Sequence, residues 1–210
     1  MAINSVIRTL VLVAFLWCMG CCLPAAATTK GLNQIVTPDI QPQGILSISF
    51  QAQQPAIGNR DELQFEYGIT PNFEVAVFQG LVPGETVLHA EWGLIQRKDF
   101  LLSTGVLGIE QGRKPQPFLE GGYYRDKLFG IAGIQRQDTG SVGVFGFGYQ
   151  ATPTTLLTLD YMTGADNFAT AGVTYALTPN LSFNPALYYA NRAPHRCYGY
   201  GVLTWNLNMR

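Results

Sequence analysis

From residue 45 to residue 207 the chain breaks into short stretches in which apolar and polar side chains alternate, and the Lys and Arg residues fall in the termini, turns and loops between them. Val87-Leu88-His89-Ala90-Glu91-Trp92-Gly93-Leu94 shows the pattern: Leu88, Ala90, Trp92 and Leu94 point one way in an extended chain, while His89, Glu91 and Gly93 point the other. A cationic head group facing a bilayer midplane costs ~2–4 kcal/mol in a barrel wall. A sequence that holds its cations at the ends of its strands is therefore expected to form an all-β, closed antiparallel up-and-down transmembrane β-barrel.

Residues 1–27 read as an export signal. Arg8 supplies the charged start, Leu10 to Leu16 the apolar stretch, and Ala25-Ala26-Ala27 a small-x-small cleavage site. A transmembrane anchor is the competing reading, but such a helix needs ~20 apolar residues, and Pro24 interrupts the run. Gly20-Cys21 is a poor lipoprotein site, since Cys18 and Met19 precede it. Cys18, Cys21 and Cys22 leave with the signal, so Cys197 has no intramolecular partner and is expected to be a small buried or wall-facing residue. Residues 28–43 form a polar periplasmic leader, and residues 44–210 the barrel. The formal net charge of −1 becomes one unit more negative once Arg8 is lost, and it suggests no nucleic-acid partner.

About twelve strands are expected: Ile45–Gln53, Glu62–Ile69, Phe73–Gly80, Thr86–Ile95, Phe100–Ile109, Phe118–Tyr124, Leu128–Gln135, Val142–Gln150, Thr155–Thr163, Ala169–Leu177, Leu181–Ala190 and Cys197–Leu207. An even number returns both termini to one rim, taken as periplasmic because its turns are the shorter ones. Thr70-Pro71-Asn72, Thr178-Pro179-Asn180 and Ala151-Thr152-Pro153-Thr154 all fall on that rim; Pro pre-sets φ for a tight turn and Asn tolerates the left-handed region. Tyr67, Phe73, Trp92, Phe100, Tyr149, Tyr175 and Trp205 cluster near the same ends and are expected to form a membrane-interface girdle. Tyr161, Tyr189 and Tyr198 are candidates for a second one. The competing fold is a soluble β-sandwich whose aromatics are core.

The segment Thr37-Pro38-Asp39-Ile40-Gln41-Pro42-Gln43-Gly44, with the paired hairpins Tyr67-Gly68-Ile69-Thr70-Pro71-Asn72-Phe73 and Tyr175-Ala176-Leu177-Thr178-Pro179-Asn180-Leu181, resembles small bacterial outer-membrane barrels of the porin-like, transporter-like kind. The resemblance covers the whole mature region. It implies an outer-membrane location and passive transport, and it brings no catalytic residue. One departure is the C-terminus: such barrels close on a terminal aromatic read by the insertion machinery, whereas here Asn206-Leu207-Asn208-Met209-Arg210 follows Trp205.

Alternation assigns Glu62, Gln64, Glu66, Glu74, His89, Glu91, Glu120 and Asp160 to the interior, with Thr158 beside them. Two arrangements are open. Water and cations fill an acidic lumen that prefers cations, or the acids hydrogen-bond to one another and to Gln64, Asn184 and Tyr188 in a plug of side chains. Twelve strands lie between barrels that are filled and barrels that leave a channel. Inward Gly68, Gly93, Gly146, Gly148 and Gly172 favour an opening, although glycine also bends a wall. An outer-membrane lipid hydrolase, the minor alternative, would need Ser103 beside His89 and Glu91 in a site open to the membrane, which an interior site is not, and a metal site using His89, Glu91 and Glu66 has no diagnostic spacing, so no catalytic residue, metal or cofactor is expected. His195, between Arg192 and Arg196, is a solvated loop residue or a contact to lipopolysaccharide phosphate. The expected partners are therefore outer-membrane lipids and lipopolysaccharide, the barrel-insertion machinery and small solutes. The leading expectation is a narrow passive channel with an acidic lumen, and the alternative is an occluded structural or adhesion barrel that works through its outer loops.

Overall fold

The computed structural model describes residues 31–81, 84–110 and 112–210. The expected signal and its cleavage site lie outside the described residues. Twelve strands follow one another: β1 (Ile45–Gln53), β2 (Asp61–Thr70), β3 (Phe73–Gly80), β4 (Thr86–Gln96), β5 (Phe100–Ile109), β6 (Gln116–Arg125), β7 (Leu128–Gln137), β8 (Gly140–Thr152), β9 (Thr155–Met162), β10 (Phe168–Thr178), β11 (Leu181–Ala190) and β12 (Cys197–Asn208). Each pairs antiparallel with its chain neighbours, and β1 pairs with β12 from Ile45↔Asn208 to Gln53↔Tyr200, so the sheet is a closed barrel. Closure leaves no open edge and excludes the two-sheet sandwich.

Alternation decides the faces. In β4, Leu88, Trp92 and Leu94 are exposed while Glu91 and Gly93 are buried; in β9, Leu157, Leu159 and Tyr161 are exposed while Thr158 and Asp160 are buried. A one-residue slip would turn every acid outward, so the pattern also pins the register. The ends of eight strands differ from expectation, each by one or two residues. Two cations expected in turns lie in strands: Arg125 is the last residue of β6, and Arg136 lies inside β7, one residue from its end and exposed on the outer face, because pairing Gln137↔Gly140 carries the hairpin three residues past Ile134, the last apolar side chain.

The repeated Thr-Pro turns share one geometry. Thr70↔Phe73, Thr152↔Thr155 and Thr178↔Leu181 each close around two residues, and in each hairpin the register shifts just before the turn. In all three the Thr hydroxyl accepts the backbone N–H two residues on, at 3.3 Å. That hydroxyl does the work expected of left-handed asparagine: neither Asn72 nor Asn180 has positive φ.

The leader departs most from expectation. Residues 31–43 do not lie ahead of the barrel; they run inside it. Gly44, at φ 79°, makes the reversal between lumen and wall, its N–H bonded to the Gly68 carbonyl (2.8 Å), and its conformation is one that a side chain would strain. From there the segment climbs the lumen until Asn33 meets Asp160, Thr170 and Tyr188, each the third residue from the loop rim in its strand. Leu32 and Ile35 close an apolar cluster with Ile131, Val142, Val144 and Met162, with Phe129 packed against it. Burying two such side chains contributes ~1.5–3 kcal/mol each, which accounts for a mostly polar leader leaving water.

Candidate functional site

Part of the interior is filled and part of it is open. On the filled side, the Asn33 backbone N–H donates to Asp160 Oδ2 (2.8 Å), and its amide Nδ2 donates to the same oxygen (3.1 Å) and to Thr170 Oγ1 (2.9 Å). Thr158 Oγ1 donates to Asn33 Oδ1 (3.3 Å), and the Tyr188 hydroxyl donates to the Asn33 carbonyl. Asn33, Asp160, Thr158 and Tyr188 are all buried, so one leader residue answers several polar groups that would otherwise be stranded. Toward the terminal rim the Gln41 N–H donates to Glu74 Oε2, and Gln41 Nε2 donates to Ser47 Oγ, which in turn donates to Asn206 Oδ1 (2.7 Å).

On the open side lies a cavity of about 410 Å³. Glu62, Gln64, Glu66, Glu74, His89 and Glu91 line it together with Gly31–Val36 of the leader and with Gln135, Met162, Phe168, Tyr188 and Tyr200, and its lining reaches Ile57, Asp166 and Asn167 at the loop rim. No Lys or Arg is among the described residues that line it. Gln64 Nε2 donates to Glu62 Oε1 (2.8 Å) and Gln51 Oε1 (2.9 Å), while His89 packs against Phe78 with ring centroids 4.2 Å apart. Asp160 and Glu120 also face inward and are buried, but neither lines the cavity: Asp160 is taken up by Asn33, and Glu120 sits beneath the wall beside Gly133.

The glycine expectation is corrected. Gly68, Gly93, Gly146 and Gly172 do not leave open space: a Cβ at each would collide with the leader, and one at Gly148 would collide with the Phe129 ring. Sequence reasoning missed this, yet a signal was present. In β7 and β8 the inner face is itself apolar, with Ile131, Val142 and Val144, and no water-filled lumen requires that.

The hydrolytic arrangement does not assemble. Ser103 pairs with Gly93 and Glu120 and is fully buried, four residues along β4 from His89, or about 13 Å at strand spacing. Among the described residues no three His, Cys, Asp or Glu side chains converge on one point where a metal could sit. At the loop rim Arg192 pairs with Asp166 (2.8 Å), and His195 stacks on Tyr189 (5.7 Å, 6° between planes).

Of the expected girdle, Tyr67, Trp92, Phe100, Tyr149 and Tyr175 are exposed on the outer face, while Phe73 and Trp205 are half-buried on that face, Phe73 edge-on to Trp92 at 6.2 Å. Tyr161 and Tyr189 are exposed, but Tyr198 turns inward onto Phe168 (6.1 Å). Cys197 is free and exposed at the start of β12.

No protein-family model matches the chain, and no curated protein matches it by sequence. In fold it is similar to the solved structure of a KdgM porin, with a TM-score of 0.57 at 13% identity, covering 77% of this chain and 98% of that one. A KdgM porin in complex with disordered oligogalacturonate gives 0.55 at 12% identity, covering 77% and 98%, and a NanC porin gives 0.51 at 9%, covering 76% and 98%.

Proposed function

We propose that the protein is a bacterial outer-membrane barrel that works as a narrow passive channel for small polar or cationic solutes. The observation that carries the reading is the cavity wall: four carboxylates, Glu62, Glu66, Glu74 and Glu91, face one space that no described Lys or Arg lines. Acidic rings select cations. The outer surface supports the location, because Leu159, Trp92 and Leu187 are more than half exposed in a closed wall, and lipid is the solvent that such a surface suits. In this reading the partners are outer-membrane lipids, lipopolysaccharide and the barrel-insertion machinery. No step of the reading calls for a catalytic residue, metal or cofactor.

The acidic wall separates this reading from the ligand of one structural neighbour. Oligogalacturonate, held by the KdgM porin, is a chain of carboxylates. A wall of glutamates would repel such a chain, so this barrel is assigned solutes of the opposite charge.

Planar-bilayer recording tests the proposal. Purified protein is expected to give discrete steps that favour K⁺ over Cl⁻, with Glu66→Gln/Glu91→Gln lowering that preference several-fold. Steps indifferent to both substitutions would overturn the acidic path. Complete absence of steps would favour the second reading, an occluded barrel working through its outer loops, which the leader's run through the lumen supports.

A further inference from the structure

We propose that residues 31–43 are a fixed inner wall of the conduit, seated on a track of glycines, and that they confine passage to the cavity they leave beside the acids of β2–β4. What passes rests on the channel reading above; where the segment lies does not.

The track is built from five strands. A Cβ at Gly68 would strike the carbonyl oxygens of Gln41 and Pro42, and one at Gly172 the Asn33 side chain. At Gly93 it would lie 2.8 Å from Ile40 Cγ1, at Gly122 3.0 Å from Pro38 Cγ, and at Gly146 2.9 Å from Ile35 Cδ1. Wall curvature alone does not explain five inward glycines that all meet one continuous segment, since water would accept a side chain at every one of them.

The segment is held at both ends by barrel carboxyls. Asp160 accepts Asn33, and Glu74 accepts Gln41; between these clamps the Gln96 amide donates to the Pro38 carbonyl (2.9 Å). Leaving the lumen would expose Leu32 and Ile35 and strand the buried Asn33 and Asp160 together, so a wall fits these contacts better than a swinging gate. The space that remains is bounded by Gly31–Val36 together with Glu62, Glu66, Glu74 and Glu91 of β2–β4, and by Gln135, Phe168, Tyr188 and Tyr200 of the other strands.

The test uses the mature chain, residues 28–210, in liposomes with Cys197→Ser, which removes its one native thiol. Leu32→Cys is expected to react slowly with a membrane-impermeant maleimide, and at least tenfold faster once Gly146→Leu or Gly172→Leu fills a seat. Because those leucines could block folding, Asn33→Cys/Thr170→Cys supplies a second arm. Oxidised and reduced forms of that pair are expected to conduct alike. The wall is overturned if Leu32→Cys labels rapidly with the seats intact, or if oxidation abolishes a conductance that reduction restores. Should no variant conduct, the channel reading falls, and the labelling contrast alone still decides whether the segment is a wall.

Discussion

Asp160 shows how much one side chain can organise. It is buried in the third position of β9 from the loop rim and takes both the backbone and side-chain N–H groups of Asn33, a residue 127 positions away in the chain. Asp160→Ala is expected to destabilise the folded barrel by about 1.5–3 kcal/mol, the usual cost of losing hydrogen bonds to a carboxyl and stranding their donors. Asp160→Asn keeps one acceptor oxygen and should lose less; urea unfolding in detergent micelles measures both. From sequence, Asp160 was legible as an inward acid because its neighbours Leu159 and Tyr161 alternate with it. Its partner was not, because nothing in local spacing brings residue 33 to residue 160.

At the scale of elements, strands and turns were readable because they depend on near neighbours. Period-2 alternation locates β1, β3, β5 and β11 to the residue, and it falters only at ends such as β7, where pairing extends past the apolar pattern. The Thr-Pro turns make a sharper case. Their geometry is stored in one hydroxyl, so Thr70→Ala or Thr178→Ala should cost about 0.5–1 kcal/mol each and leave the hairpin register unchanged, as measured by unfolding and by backbone NMR. A register change in either variant would show that the hydroxyl, and not the alternating face, sets the pairing. The leader was misjudged at this same scale. Its polar, proline-bearing composition says loop, whereas Leu32, Pro38 and Ile40 supply the apolar contacts that draw it inside.

For the whole molecule, the outer surface carries the argument. Leu159 is 54% exposed midway along β9, so Leu159→Arg places a cation on the lipid-facing side of the wall. Folding into bilayers should weaken by about 2–4 kcal/mol, read from urea titrations in liposomes, while folding into micelles should suffer less. An equal loss in both would argue against a surrounding bilayer. The sequence by itself determined that the chain forms a barrel, which faces are greasy and which acids turn inward, because alternation and turn chemistry act between residues close together in the chain. Only the tertiary structure decided what occupies the interior. Closing β1 on β12 creates an enclosed space, and whether that space holds water or a folded-back leader depends on contacts such as Asn33 with Asp160 and Ile40 with Gly93, which exist only after the wall has closed.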